Sequence, residues 1–223
     1  MKFPKIFSIA LLSLATATVA QAADIATTVD LGTTGLGLHL SAPVAPKLNA
    51  RVGLNYATYS YDGHTSDVNY DFKLKLATVD ALLDYHPFDG GFRFSAGLVH
   101  NGNSIDARSR PDANGNYTIN GRSYDAAVAG NLIGKVEFRK NAPYLGIGWG
   151  NAVKSAGWSF GMDLGVAFQG APKTSLALRG CTAPALVCSR LADDAAGENA
   201  RLAKEVKDFK LYPVLRVGIS YRF

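Results

Sequence analysis

Read backwards from the last residue, Phe223, Tyr221, Ile219, Val217, Leu215, Pro213 and Leu211 alternate with Arg222, Ser220, Gly218, Arg216, Val214, Tyr212 and Lys210. A period of two is the signature of a β-strand, whose successive side chains point to opposite faces. The pattern recurs along the chain. Leu36, Leu38 and Leu40 alternate with Gly37, His39 and Ser41, and Ala50, Val52, Leu54 and Tyr56 with Arg51, Gly53 and Asn55. Phe92, Phe94, Ala96 and Leu98 alternate with Arg93, Ser95 and Gly97, and Trp158, Phe160, Met162, Leu164, Val166 and Phe168 with small or polar residues. A sandwich in water would bury each apolar face under a second layer, and little of the chain is left to supply one. One continuously apolar face and one small, polar or charged face is instead the dyad repeat of an antiparallel transmembrane β-barrel, apolar outward to lipid.

Composition narrows the class further. Only 18% of the 223 residues are charged, 23 are Gly and two are Cys, which excludes a disordered acidic chain and a disulfide-dense miniprotein. Beyond the N-terminus no run of apolar residues is long enough for a membrane helix. Lys2 and Lys5, the apolar run Ile6 to Leu14, and Ala20-Gln21-Ala22 follow the plan of a secretory signal peptide, so cleavage is expected after Ala22. Residues 1–22 are then the signal peptide and 23–223 the barrel domain. Losing the two lysines lowers the formal charge from +5 to +3, too little to argue for nucleic acid as a partner. Export also makes Cys181 and Cys188 a disulfide candidate.

Seven strands are legible at about 34–42, 48–61, 69–86, 91–107, 140–149, 157–169 and 209–223. An eighth, at about 24–31, follows from parity, the competing arrangement being one long first strand. Short connections at 43–47, 87–91 and 150–157 alternate with external loops at about 62–67, 109–136 and 170–207, as in outer-membrane barrels. Trp149 and Trp158 flank one short turn and Tyr85 and Phe92 another, as in an aromatic girdle. Within 69–86 the apolar phase moves from Phe72, Leu74 and Leu76 to Val79, Ala81, Leu83 and Tyr85, which reads as a β-bulge. Asn120-Gly121 predicts a hairpin over 117–124. Leu191, Ala195, Leu202 and Val206 predict a short amphipathic helix within 186–209, interrupted at Gly197 and capping the barrel.

The last eight residues resemble the C-terminal β-signal of outer-membrane proteins, the likeness being carried by Arg216, Gly218, Ile219, Tyr221 and the terminal Phe223. That resemblance implies the barrel-assembly machinery as a partner during biogenesis. It also implies the Gram-negative outer membrane as the location, with its lipid and lipopolysaccharide as surroundings. In strand pattern the chain is similar to the eight-stranded barrels of the OmpA and OmpX type, from which no functional residue carries over.

Keeping apolar faces together across the short turns gives a register. Pairing Tyr85 with Phe92 sets Asp84 opposite Arg93; pairing Leu40 with Ala50 sets His39 opposite Arg51; pairing Trp149 with Trp158 sets Tyr144 opposite Asp163. Arg216 and Arg222 add inward cations and Asp80 an inward acid. An eight-stranded barrel is just wide enough for its own side chains, and unpaired buried charge is costly, so the expected interior is a plug of paired charges. A structural or surface-interaction role follows, with a small solute channel as the alternative.

A lipid-modifying enzyme stands third. His100, Ser104 and Asp106 lie near the outer end of 91–107, but four residues of strand span about 13 Å, so no catalytic site is expected. No cofactor is expected, and His39, His64, His86 and His100 lack the spacing of a metal site. The glycines of Gly32-x-x-Gly35-x-Gly37 and Gly146-x-Gly148-x-Gly150 have no strand-loop-helix context for phosphate binding; they relieve crowding inside the barrel.

Overall fold

The computed structural model of the chain describes residues 24–64, 69–88, 90–119 and 121–223. The signal peptide expected at 1–22 and part of the connection expected at 62–67 lie outside those residues. The elements run β1 (Ala26–Gly32), β2 (Gly35–Ala45), β3 (Leu48–His64), β4 (Asn69–Tyr85), β5 (Phe92–Asn101), β6 (Ser104–Arg110), β7 (Asn116–Ile119), β8 (Arg122–Asp125), α1 (Ala126–Ala129), β9 (Asn131–Glu137), β10 (Asn141–Trp149), β11 (Gly157–Phe168), β12 (Lys173–Arg179), α2 (Ala185–Val206) and β13 (Leu211–Arg222).

Eight of the strands form a ring in the order β1-β2-β3-β4-β5-β10-β11-β13, with β13 pairing back to β1. Every neighbour is antiparallel. The strand inferred from parity is β1, which meets β2 through a tight turn at Thr33 and Thr34. Burial is inverted relative to a protein in water. On β2, Gly37, His39 and Ser41 are buried while Leu36, Leu38 and Leu40 are exposed, and Trp158 and Phe160 on β11 are 76% and 61% exposed. Such a surface is stable only where something apolar covers it.

The registers differ from expectation by even steps. Tyr85 pairs with Phe94 and not Phe92, and Asp84 with Ser95, because Phe92 and Arg93 run past the end of β4 and pair only with β10. His39 lies opposite Gly53, and Arg51 opposite Ser41, because β2 continues to Ala45 and leaves only Pro46 and Lys47 for the turn. Trp149 pairs with Met162 and Tyr144 with Ala167, so Tyr144 is not opposite Asp163, because Gly157 to Gly161 run past the end of β10 and pair only with β13. Even slips preserve which face each side chain takes, so the inward residues stay inward.

At the end away from the chain termini, β3, β4, β6, β9 and β12 pair in that order and extend one side of the ring as a wall. The strand expected at 91–107 is therefore two. It breaks at Gly102 and Asn103, where Gly102 N–H donates to the Ala77 carbonyl at 2.8 Å and Asn103 Oδ1 accepts from Ala77 N–H at 2.9 Å. The two groups that β4 presents at the break are thereby satisfied.

The bulge expected in 69–86 is absent. From Leu48 opposite Tyr85 to His64 opposite Asn69, the β3–β4 register has no shift. The phase changes because the surroundings change. Below Ala77 the outward row is Val79, Ala81, Leu83 and Tyr85; above it, the outward row is Lys75, Lys73 and Asp71, and the apolar residues Phe72, Leu74 and Leu76 face inward.

Phe72 packs against a small second core. Tyr117, Ile119, Ala129, Leu132, Leu191 and Ala195 are buried together, with Phe72, Ala107, Tyr124, Leu176 and Leu178 packed against them. The hairpin expected over 117–124 is β7–β8, pairing Tyr117 with Tyr124. Helix α2 runs unbroken through Gly197, where a Cβ would meet nothing within 4 Å; the expected interruption costs only helix propensity on an open face. Leu191 and Ala195 dock α2 on the side of the wall that continues the lumen face, and the Cys181–Cys188 disulfide ties down its first turn.

Candidate functional site

Dyad alternation delivers one ring of inward residues after another, and in the middle of the ring these are charged. Two groups form. In the first, nearer the termini, Arg51 on β3 donates from Nη1 to Asp163 Oδ2 at 2.7 Å and from Nη2 to Asp163 Oδ1 at 3.1 Å and Asp84 Oδ1 at 3.0 Å. Arg93 Nη2 donates to Asp163 Oδ1 at 2.7 Å and Ser95 Oγ to Asp84 Oδ1 at 2.5 Å. Arg93 Nη1 also donates to the Gly150 carbonyl in the turn below.

In the second group, Arg216 on β13 donates from Nη2 to Asp80 Oδ2 at 2.9 Å and from Nε to Thr34 Oγ1 at 3.1 Å. Asn55 Nδ2 donates to the same Asp80 oxygen at 2.9 Å. His39 has one ring nitrogen 2.6 Å from Asp30 Oδ2 and the other 3.2 Å from Asp80 Oδ2, with no exposed side-chain surface. Its ring lies flat against β3: a Cβ at Gly53 would sit 1.9 Å from His39 Cδ2, so Gly53 is what makes room for the imidazole.

Counted together, Arg51, Arg93 and Arg216 face Asp30, Asp80, Asp84 and Asp163. Protonated His39, able to donate from both nitrogens, makes the count four against four. Charge balance is the condition for ions at this depth, since each would cost several kcal/mol alone. An interior cavity of about 30 Å³, lined in part by Asp30, Arg51, Asp84, Arg93 and Asp163, remains between the groups. That is room for about one water.

Above the charges the lumen turns apolar. Tyr144 is buried with Leu82, Val99, Ala142, Ala167 and Val214. Its hydroxyl lies over Gly146 and Gly165, where a Cβ would come within 2.5 and 2.3 Å, and it has no hydrogen-bond partner among the described residues. Asn101 Nδ2 then donates to Gln169 Oε1 at 3.2 Å, and Gln169 Nε2 to the Phe209 carbonyl at 3.0 Å. At the opposite end Asn49 Nδ2 reaches Asn151 Oδ1 and His86 Nε2, each at 3.1 Å.

Of the residues expected inside, Asp84, Arg93, His39, Arg51, Asp163 and Arg216 belong to the two groups, and Asp80 joins them. Arg222 does not: it sits at the terminal rim, bonded to Asp24 at 2.8 Å and to the Val153 carbonyl at 3.1 Å. Tyr144 packs and does not pair with Asp163. Asp30, Thr34, Asn55 and Ser95 were missed as partners, although Val29-Asp30-Leu31 carries a signal, an acid between two apolar residues in the strand phase. Of the β-signal residues, Arg216 is interior, Ile219 and Phe223 point outward, and Gly218 lies against Asp30. His100 and Ser104 are not joined: His100 Nδ1 is 3.0 Å from Asn141 Oδ1, and Ser104 stands in β6 between Lys75 and Glu137.

No family model and no curated protein matches the chain. Solved structures do, among them CarO and CarO2 of Acinetobacter baumannii. The first is 22% identical with a TM-score of 0.56, over 91% of this chain and 98% of that one; the second is 21% identical with the same TM-score, over 91% and 100%. The chain has a CarO-like fold. The likeness to CarO runs through nearly the whole of both chains. It concerns architecture, and the roles of the charged residues are argued from their own geometry.

Proposed function

We propose that the chain is an integral outer-membrane β-barrel with a sealed lumen, whose role is structural or is exercised at the cell surface through the wall and α2. The observation that carries this reading is the pairing of Arg51 with Asp163 and of Arg216 with Asp80 across the centre of the lumen, behind an outward surface of exposed Leu, Val, Phe and Trp. An apolar exterior and a charge-balanced interior is the arrangement a bilayer selects. The Arg51–Asp163 and Arg216–Asp80 pairs cross the lumen at the level of the two charged groups, which supports the sealed reading over the channel one. The CarO-like fold supports the barrel assignment.

The test is refolding of the chain from residue 23 into phospholipid vesicles, followed by gel mobility with and without boiling and by swelling in small sugars and amino acids. A heat-modifiable, membrane-inserted protein whose vesicles do not swell is the expected result. Swelling at a rate above that of empty vesicles would replace the sealed barrel with a channel.

A further inference from the structure

The outward face of the wall is unlike the outward face of the ring beneath it. On β4 the outward row passes from Val79 and Ala77 directly to Lys75 and Lys73. On its neighbours the outward face carries Lys135 on β9 and Lys173 on β12, with Arg108 on β6 one row higher, opposite Asp71, and Arg139 and Lys140 between β9 and β10. Lys73, Lys75, Arg108, Arg139, Lys140 and Lys173 are exposed. The acids among them are fewer and partly taken. Glu137 lies 2.8 Å from Lys135, which holds its carboxyl below the usual range, and Asp71 and Asp62 are both engaged by Arg110 higher up.

Register gathers these cations. Lys75, Ser104, Glu137 and Lys173 form one row across four strands, and Lys73, Asp106, Lys135 and Ser175 form the row above it. The lower row starts two residues beyond the last outward apolar residue of β4, about 7 Å along the strand. On the other side of the ring β1 and β2 have no such extension, the turn at Thr33 and Thr34 ending them. On the wall the cations therefore lie in adjacent rows directly above the apolar belt of β4.

We infer that this face binds the phosphorylated headgroup of a glycolipid in the outer leaflet, the lower row taking phosphate and the upper row taking the adjoining saccharide with its own acidic groups. The inference rests on the outer-membrane reading, because only a bilayer at the apolar belt places lipid phosphates at this height. Charge complementarity and continuity with the belt select the occupant: a lipid seated against Val79 and Leu83 has its headgroup beside Lys75 and Lys73. A soluble polyanion would gain nothing from the apolar surface directly below. Electrostatic attraction at a membrane surface is additive over basic side chains and screened by salt.

The experiment uses the full barrel refolded into phosphatidylcholine nanodiscs, with purified lipid A carrying both phosphates, or the same lipid enzymatically dephosphorylated, titrated in and bound lipid read by native mass spectrometry. The expected result is retention of phosphorylated lipid A, weakened about tenfold in K73E/K75E/K173E and by raised salt, with Lys204→Glu on α2 leaving it unchanged. Equal retention of the two lipids, or insensitivity to the triple reversal in a correctly inserted barrel, would overturn the inference. Failure of the wild-type chain to insert at all would instead overturn the outer-membrane reading, which the heat-modifiable gel shift reports separately.

Discussion

Arg51 and Asp163 stand four strands apart in a ring of eight, on β3 and β11, and their side chains meet at 2.7 Å. Arg216 and Asp80, on β13 and β4, span the ring in the same way at 2.9 Å. Each pair is a diameter. A lumen crossed by two such diameters at neighbouring levels is braced, because each pair ties opposite walls whose backbones share no hydrogen bond.

Breaking a diameter from one side strands its partner. Asp163→Ala leaves Arg51 with Asp84 as its one carboxylate and removes the carboxylate to which Arg93 Nη2 donates, and the loss of unfolding free energy is expected at about 3–5 kcal/mol, measured by urea titration in vesicles. The double change R51L/D163L removes both charges and restores apolar contact, so it costs less than the two single changes summed. Additive losses would mean that the two residues do not act as a pair.

Gly53 carries a steric prediction. Gly53→Ala places a methyl group where the His39 ring lies, and is expected to destabilise the barrel by about 1–3 kcal/mol in the same titration. In a His39→Ala background the clash has no object, so the added cost of Gly53→Ala shrinks toward zero. An equal cost in both backgrounds would show that the ring is not seated there.

Position of the belt is checked by chemistry. Both cysteines are in the disulfide, so single cysteines can be introduced on a silent background. Lys75→Cys is expected to react with a membrane-impermeant maleimide in intact vesicles whose wall faces outward. Val79→Cys and Leu83→Cys are expected to stay unlabelled until detergent is added. Labelling at all three positions would remove the phase change in β4 as a marker of the membrane surface.

Above the membrane, Asp194 of α2 accepts from Tyr124 Oη at 2.5 Å and from Arg122 Nη1 at 3.2 Å. Burial first, and then the Asp194 carboxylate, push the Tyr124 hydroxyl above its usual value of 10.0. A raised value in the folded state means the docked helix holds a proton that the undocked one gives up. The stabilisation is complete below pH 10 and is lost as pH rises through the Tyr124 transition. Protease resistance of α2 should hold through neutral pH and fall in strong alkali, and Tyr124→Phe should lower it already at pH 8. Resistance unchanged by that substitution would remove Tyr124 from the docking contact.

How much of this was legible in the sequence varies with the physics involved. The alternation that names a lipid face and a lumen face is local, so β2, β3, β5, β10, β11 and β13 and their inward residues could be read directly. Register could not. It depends on how many residues each turn consumes, and Trp149 and Trp158, which look like turn partners, pair with Met162 and Tyr221. Because the slips were even, the inward set survived while the partners changed. The apolar shift at Phe72 was read as a backbone defect when it reports a change of environment. Strands β9 and β12 were hidden in loops because Gly134 and Thr174 break their apolar rows, and the residues that cover Leu132, Leu176 and Leu178 lie further along the chain on α2.

Single-channel recording of the refolded barrel in a planar bilayer tests the sealed lumen most directly, with R51A/R216A recorded beside the wild type. Both diameters intact, the wild type should give no conductance steps although gel mobility shows it folded, and the double variant should give small, reproducible ones. Steps of the same size from both proteins would contradict the account, because ions would then be crossing by a path that the two pairs do not close.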